Sequence, residues 1–321
     1  MSDRETVDFL AAVPLLEGRD EAELAELARV MGRRTVQAGE ALWRQGGDRR
    51  ELLFVVDGAV ATSLQVSGGR TVEIGSAGPG QMLGEIALLD GQGHTLSVRA
   101  TETTTVLALG HSDFAALLAG QRPAAFTLRR RLVAHLTARL RDQLRHLAAS
   151  LGGEPATDGA PAGADLLEPS SPPDSKYVRR MATFHDFDPL ALWGFLTSGK
   201  YVRCPPGQTL VAEGAPSAAY YLTINGAVEK VLVRGDRRIR VGLAGPGMAF
   251  GYESLIDGRP SPVAAITRER ALLLVLPSDV FEQLFHREDA ISRVFLEAIQ
   301  RDLLVTLRHA LRPSARLASS V

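Results

Sequence analysis

The segment from Gly84 to Ala100 reads GEIALLDGQGHTLSVRA, and its first half has the makings of an anion site. Gly84 lets the backbone turn tightly into the short apolar run Ile86, Ala87, Leu88 and Leu89, a pattern that opens a short helix. The N–H groups at a helix start lack intrahelical acceptors and attract anions, and a residue as small as Ala87 lets a phosphate approach that backbone closely. Enzyme chemistry is far harder to find. The chain has no phosphate-cradling loop with lysine and no Gly-x-Ser-x-Gly elbow. Its histidines, His94, His111, His135, His146, His185, His286 and His309, show no i, i+4 pair and no metal-ligand spacing. The expectation is a binding protein with no catalytic residues, no metal and no cofactor.

The elements that must position this segment are mostly short strands. From Thr35 to Leu109 apolar runs such as ELLFVVDG and TTVLAL alternate with glycine-rich turns, the pattern of a small antiparallel barrel or jelly roll. Asp57-Gly58 reads as a hairpin turn, and Asn225-Gly226 as the same turn further on, with YYLTI and AVEKVLV as its paired strands. An amphipathic helix from Glu21 to Met31, opened by Asp20, precedes the first barrel.

The barrel occurs twice. Gly39, Gly46 and Gly58 recur as Gly207, Gly214 and Gly226, each 168 positions on; Gly78, Pro79, Gly80 and Gly84 recur as Gly245, Pro246, Gly247 and Gly251, now 167 positions on, as Phe114 recurs as Phe281. The match runs over about residues 9 to 150 and 177 to 313. The fold class is therefore mainly β with flanking helices: two tandem small antiparallel jelly rolls, each followed by a long helix. The domains are residues 1–150, a linker over 151–176, and residues 177–321.

This cassette, its repeat and the barrel glycines resemble the cyclic nucleotide-binding domain family, which includes barrels like those of bacterial regulators and of kinase regulatory subunits. The resemblance implies that Glu85 holds the ribose 2′-hydroxyl of a bound cyclic nucleotide, because the family places a Glu directly after the Gly. The family's phosphate-gripping Arg stands nine positions after that Glu, where this chain has His94. Arginine offers a permanently charged fork; histidine near neutral pH is mostly uncharged and gives at best one charge-assisted bond. Losing such a contact costs roughly 1.5 to 3 kcal/mol, about ten- to hundredfold in affinity. Binding is thus expected to be weakened rather than abolished, and to become acid-dependent. The implied ligand site comprises Gly84, Glu85, Ile86, Ala87, His94 and Thr95, and Thr95 resembles the threonine of members that prefer cGMP over cAMP.

The second cassette, GYESLIDGRPSPVAAIT from Gly251, departs further. Tyr252 holds the Glu position and Ser261 the Arg position. Glu253 comes one place late, which on a helix start turns it about 100° away. Arg259 comes two places early, in a loop where Pro260 and Pro262 restrict the backbone. Gly251, Tyr252, Glu253, Ser254, Arg259 and Ser261 are read as a degenerate, structural copy.

After the first barrel, Leu128, Leu132, Leu136, Leu140, Leu144, Leu147 and Leu151 form one apolar stripe. It runs longer than one small barrel covers, which favours a dimer seam or an interdomain contact through Leu128, Leu132, Leu136, Leu140 and Leu144. The second copy repeats it with Phe295, Ile299, Leu303, Leu307 and Leu311, and Pro313 is expected to end that helix. Gly152 to Ser175 is rich in proline, glycine and acidic residues and reads as a mobile linker. Arg129, Arg130, Arg131, Arg139, Arg141 and Arg145 are spread around the first long helix without interleaved aromatics, so they read as a solvated face rather than a nucleic-acid surface.

Composition fits this picture: 321 residues, 45% hydrophobic, 23% charged, formal charge −1. Nothing global attracts nucleic acid or an anionic membrane. There is no secretory signal pattern and no apolar run of membrane-spanning length, which predicts a cytoplasmic location. One cysteine, Cys204, permits no intramolecular disulfide. The favoured function is a non-enzymatic sensor that binds cAMP or cGMP weakly in its first barrel and signals through the long helix to a protein partner. The alternative is a ligand-independent scaffold or assembly subunit. A DNA-binding regulator ranks below both, because no helix-turn-helix segment follows either long helix.

Overall fold

A computed structural model describes residues 3–66, 69–152, 167–235 and 237–318. They form two compact units, one ending at Leu132 and the other comprising Val133–Ala318.

The first unit opens with two helices, α1 (Asp3–Ala12) and α2 (Glu21–Val30). Asp20 caps α2 by accepting from the Ala22 N–H, and Leu24 and Leu27 face inward. The barrel strands are β1 (Gly32–Val36), β2 (Ala41–Trp43), β3 (Glu51–Asp57), β4 (Val60–Gln65), β5 (Thr71–Ala77), β6 (Met82–Leu83), β7 (Ser97–Ala100) and β8 (Thr104–Gly110). They make two four-stranded antiparallel sheets, ordered β1-β8-β3-β6 and β2-β7-β4-β5. Val36, Leu42, Trp43, Leu53, Val55, Val60, Val98 and Val106 fill the space between them. Between β6 and β7 runs α3 (Glu85–Asp90), and after β8 come α4 (His111–Ala119) and α5 (Pro123–Leu151).

The second unit takes the rest of α5 from Val133 onward. Strand β9 (Glu168–Ser170), helices α6 (Ser175–Arg179) and α7 (Pro189–Leu196), and strands β10 (Lys200–Cys204), β11 (Thr209–Val211), β12 (Ala219–Asn225), β13 (Val228–Arg234), β14 (Arg237–Ala244) and β15 (Ala249–Phe250) follow. Helix α8 (Glu253–Asp257), strands β16 (Ala264–Thr267) and β17 (Ala271–Pro277), and helices α9 (Ser278–His286) and α10 (Ala290–Ala318) complete it. Its sheets are ordered β15-β12-β17-β10-β9 and β11-β16-β13-β14. Its core repeats that of the first barrel position for position: Cys204, Leu210, Val211, Tyr221, Val228 and Leu273 stand where Val36, Leu42, Trp43, Leu53, Val60 and Val106 stand.

Several details differ from the sequence expectations. The strands flanking Gly58 and Gly226 do not pair with each other. β3 and β4 lie in different sheets, as do β12 and β13, so each turn carries the chain across the barrel. The reason is close packing: a Cβ on Gly58 would lie 2.6 Å from the Thr103 carbonyl oxygen, and one on Gly226 2.5 Å from that of Arg270, so each turn is pressed against another turn rather than lying over its own hairpin. Pro313 does not end α10, which continues to Ala318; a proline removes one helical hydrogen bond and strains one turn without forcing the chain out of the helix. The expected linker contributes strand β9, whose residues pair with Tyr201, Val202 and Arg203 of β10. An edge strand is held by main-chain bonds, tolerates a proline such as Pro169 and needs no apolar side chains. The remainder of that linker, residues 153–166, lies outside the described residues.

Two of the arginines expected on a solvated face are buried, Arg129 at 1% and Arg141 at 7% exposure. Arg141 can be buried because its guanidinium donates to Asp257 through Nε at 2.6 Å and through a terminal nitrogen at 2.8 Å, and also to the carbonyls of Arg259 and Pro260. The five leucines offered as an interface, Leu128, Leu132, Leu136, Leu140 and Leu144, are each no more than 2% exposed, so the chain's own packing already covers them.

Candidate functional site

In the first barrel Gly84 adopts φ +91° and begins α3. A side chain there would be both conformationally strained and sterically excluded, since its Cβ would stand 2.2 Å from the Glu51 carbonyl oxygen and 3.0 Å from Cε1 of His94. The first helical hydrogen bond runs from the Leu88 N–H to the Gly84 carbonyl, so the N–H groups of Ile86 and Ala87 precede the helical ladder. Glu85, Ile86 and Ala87 are buried.

His94 lies against the same glycine. Its ring stacks on Trp43 with centroids 3.7 Å apart and planes 5° from parallel, and it is 5% exposed. The indole is itself held by its Nε1–H, which donates to the Leu96 carbonyl at 3.0 Å. The Gly46 N–H donates to the His94 carbonyl, fixing the backbone of the cassette loop against β2. Thr95, next to it, is half-buried. The structure thus gathers Gly84, Glu85, Ile86, Ala87 and His94 around one turn. It adds a residue that sequence reasoning missed, Trp43, whose only signal was a large aromatic side chain just before the Gly46 turn.

The second barrel presents the same backbone with different contents. Gly251 has φ +76°. Tyr252, in the Glu85 position, is fully buried and its hydroxyl donates to Asp302 Oδ2 at 2.7 Å. Asp302 also accepts two bonds from Lys230 Nζ, at 2.7 and 2.6 Å, and the same ammonium donates to Thr306 Oγ1 at 2.6 Å. Burial pushes the Tyr252 phenol well above its ordinary pKa, and the Asp302 carboxylate adds to that shift. Burial likewise raises the Glu253 carboxyl; nearby Lys230 opposes the shift and Asp302 adds to it. Ser261, in the His94 position, is buried and donates to the Val263 carbonyl. Ser254 is buried, while Arg259 is half-exposed and turned onto Asp257 rather than toward the cassette interior. Lys230 and Asp302 were not picked out from the sequence; a lysine amid the apolar run of β13 and an aspartate on the apolar stripe of α10 were the available signals.

The sequence model of the cyclic nucleotide-binding domain family matches residues 33–121 and 201–288, which together make up more than half of the chain. The chain belongs to the cyclic nucleotide-binding domain family. Each matched stretch is one barrel with its cassette, so the protein carries two tandem copies of this regulatory domain, and its mainly β, antiparallel fold is that of the family.

Among curated relatives, the chain is 36% identical over 106 residues to a cyclic nucleotide-gated potassium channel of Mesorhizobium japonicum, covering 33% of this chain and 28% of that protein. It is 32% identical over 158 residues to a cAMP-dependent protein kinase regulatory subunit of Mycosarcoma maydis, covering 49% of this chain and 27% of that protein. The chain therefore spans about a quarter of each relative. Among solved structures, the regulatory domain of Toxoplasma gondii PKA with cAMP is 19% identical, with 91% of this chain and 95% of that one covered and a TM-score of 0.35. Among the described residues no group of His, Cys, Asp and Glu is arranged to hold a metal ion, and no helix is long and apolar enough to cross a membrane.

Proposed function

We propose that the chain is a non-enzymatic, cytoplasmic regulatory protein whose first barrel binds a cyclic nucleotide and whose second barrel is a structural copy. One contrast supports this reading. In the first barrel Glu85 follows Gly84 and His94 lies against it, with Thr62 on β4, whereas in the second the corresponding positions are Tyr252, Ser261 and Lys230: Tyr252 and Lys230 are tied to Asp302 of α10, and Ser261 to the Val263 carbonyl of its own loop. In the first site Glu85 takes the ribose hydroxyl, the N–H groups of Ile86 and Ala87 face the cyclic phosphate, and His94 supplies one donor in place of an arginine fork. Thr95 leans the choice toward cGMP.

The bound state passes along α5. That helix starts in the first unit, and its continuation is gripped within the second unit by Arg141 on Asp257, whose position in the α8 cassette ties the helix to the second barrel. A protein partner with different affinity for the two states completes the output. A homodimer through the leucine stripe has less support, because Leu128 to Leu144 are already covered.

Calorimetry with millimolar cAMP and cGMP near pH 6 tests the site. Heat is expected with wild type, and His94→Arg is expected to tighten binding about ten- to hundredfold by restoring a charged fork. Absence of heat with both nucleotides, for both wild type and variant, overturns the reading. A second reading, a ligand-independent scaffold, draws on the burial of His94 and on the filled second barrel. It predicts a stoichiometric partner recovered equally with and without nucleotide.

A further inference from the structure

The Lys230, Asp302, Tyr252 and Thr306 cluster joins three elements of the second unit: strand β13, the cassette turn before α8, and helix α10. All four residues are at most 2% exposed. Tyr252 and Lys230 stand at the positions that Glu85 and Thr62 hold in the first barrel. Tyr252 follows the cassette glycine Gly251, and Lys230 stands on β13 opposite Gly242 of β14 and Ala265 of β16. At Gly242 the strand has no side chain, and a Cβ there would lie 2.7 Å from Lys230 Cε and 3.4 Å from Thr306 Oγ1. The first barrel has Thr62 opposite Gly75 at these positions. In the second barrel the lysine stem fills the space that Gly242 leaves open.

The ammonium has three donors and three acceptors, both Asp302 oxygens and the Thr306 hydroxyl, and the carboxylate accepts from Lys230 and from Tyr252. A buried ion pair is a poor way to gain stability, because an apolar set of the same volume does as well; what it adds is registry, since only one placement of α10 sets Asp302 between Lys230 and Tyr252. Apolar packing fixes the same placement from the other side. Phe295 of α10 packs with its ring centroid 5.2 Å from both Tyr220 and Phe281.

We infer that the second barrel carries its own internal ligand: Lys230, Asp302 and Tyr252 occupy its nucleotide pocket and hold α10 closed across the cassette whether or not nucleotide is present. The second domain thus keeps α10 docked on its cassette without nucleotide, and only the first is open to ligand control. This inference stands independently of whether the first barrel binds nucleotide, because it rests on contacts of the second unit alone.

Hydrogen–deuterium exchange on the full chain tests it, with millimolar cAMP and cGMP as probes. In wild type, exchange of residues 290–306 is expected to be slow and unchanged by either nucleotide, while any nucleotide effect of the first site appears at residues 84–95. Lys230→Met strands the Asp302 carboxylate and is expected to speed exchange of α10 by about tenfold or more. The double variant Lys230→Met/Asp302→Leu, which removes both charges at similar volume, is expected to recover most of that protection. Tyr252→Phe, which removes one hydrogen bond and no charge, is expected to speed it severalfold and serves if Lys230→Met does not fold. Slowing of α10 exchange by nucleotide in a chain whose residues 84–95 are unaffected overturns the inference, as does α10 exchange within twofold of wild type in both Lys230→Met and Tyr252→Phe.

Discussion

Replacing Arg141 with methionine keeps the side-chain volume and removes the guanidinium, and the structure sets the size of the loss. An exposed ion pair is worth about 0 to 1 kcal/mol. This one is different: Arg141 is 7% exposed and Asp257 17%, and two parallel bonds of 2.6 and 2.8 Å join them. Removing one partner of a buried pair costs about 3 to 5 kcal/mol when the other charge is left uncompensated. Asp257 would keep Arg259, whose Nε lies 3.0 Å from it, and it retains some solvent, so the loss falls to the lower end of that range. The carbonyls of Arg259 and Pro260 also lose a donor. A destabilisation of about 3 kcal/mol is expected, which for a unit of this size is roughly 6 to 12 °C in the calorimetric transition of the second unit. Asp257→Asn and the double variant complete a cycle, with a coupling energy of about 1 to 3 kcal/mol between the two positions. A shift below about 1 °C for Arg141→Met, or losses that simply add in the double variant, would refute the reasoning that α5 is clamped to the second cassette.

Gly84 offers a comparison within one barrel. Gly84→Ala meets both a positive φ of +91° and a carbonyl oxygen 2.2 Å from the new Cβ, whereas Gly80→Ala meets only φ +79° with open space around it. Gly80→Ala should cost about 1 kcal/mol and Gly84→Ala about 3 kcal/mol or more with loss of nucleotide heat, as read by denaturant unfolding and calorimetry; equal costs at the two positions would count against the tight cassette turn. Burial lifts the Cys204 thiol from 9.0 to about 11. At pH 8 its thiolate fraction is therefore about a hundredfold below that of an ordinary cysteine, and maleimide labelling of the native chain should be slower by at least that factor; labelling at the rate of a free thiol would contradict it. Because the native state holds this proton more tightly than the unfolded one, the associated stability is complete below pH 9 and is lost as pH rises through about 11.

The repeat made the fold legible. Glycines at fixed intervals mark turns whose φ only glycine adopts easily, so Gly39, Gly46, Gly58 and Gly84 and their partners outline both barrels before any strand is assigned. The cassette was legible for the same reason, since its helix start, its Glu85 and its His94 lie within one short stretch. Helix α2 followed from its acidic cap and apolar spacing, and helix α1, with its polar and weakly patterned sequence, did not.

What local sequence carries is conformation: which residues turn, which face inward along a helix, and which short segment offers a helix start to an anion. It determined two tandem barrels, their cassettes and the loss of the second cassette's key side chains. Contacts between distant segments were decided by the tertiary structure. Trp43 and His94, Arg141 and Asp257, and Lys230 and Asp302 are separated along the chain by dozens of residues or more, and no periodicity records such a pairing. A buried charge is tolerable only where its partner arrives with it, so the sequence could show that Lys230 and Asp302 sit among apolar neighbours, but only the packed barrel could show that they answer each other.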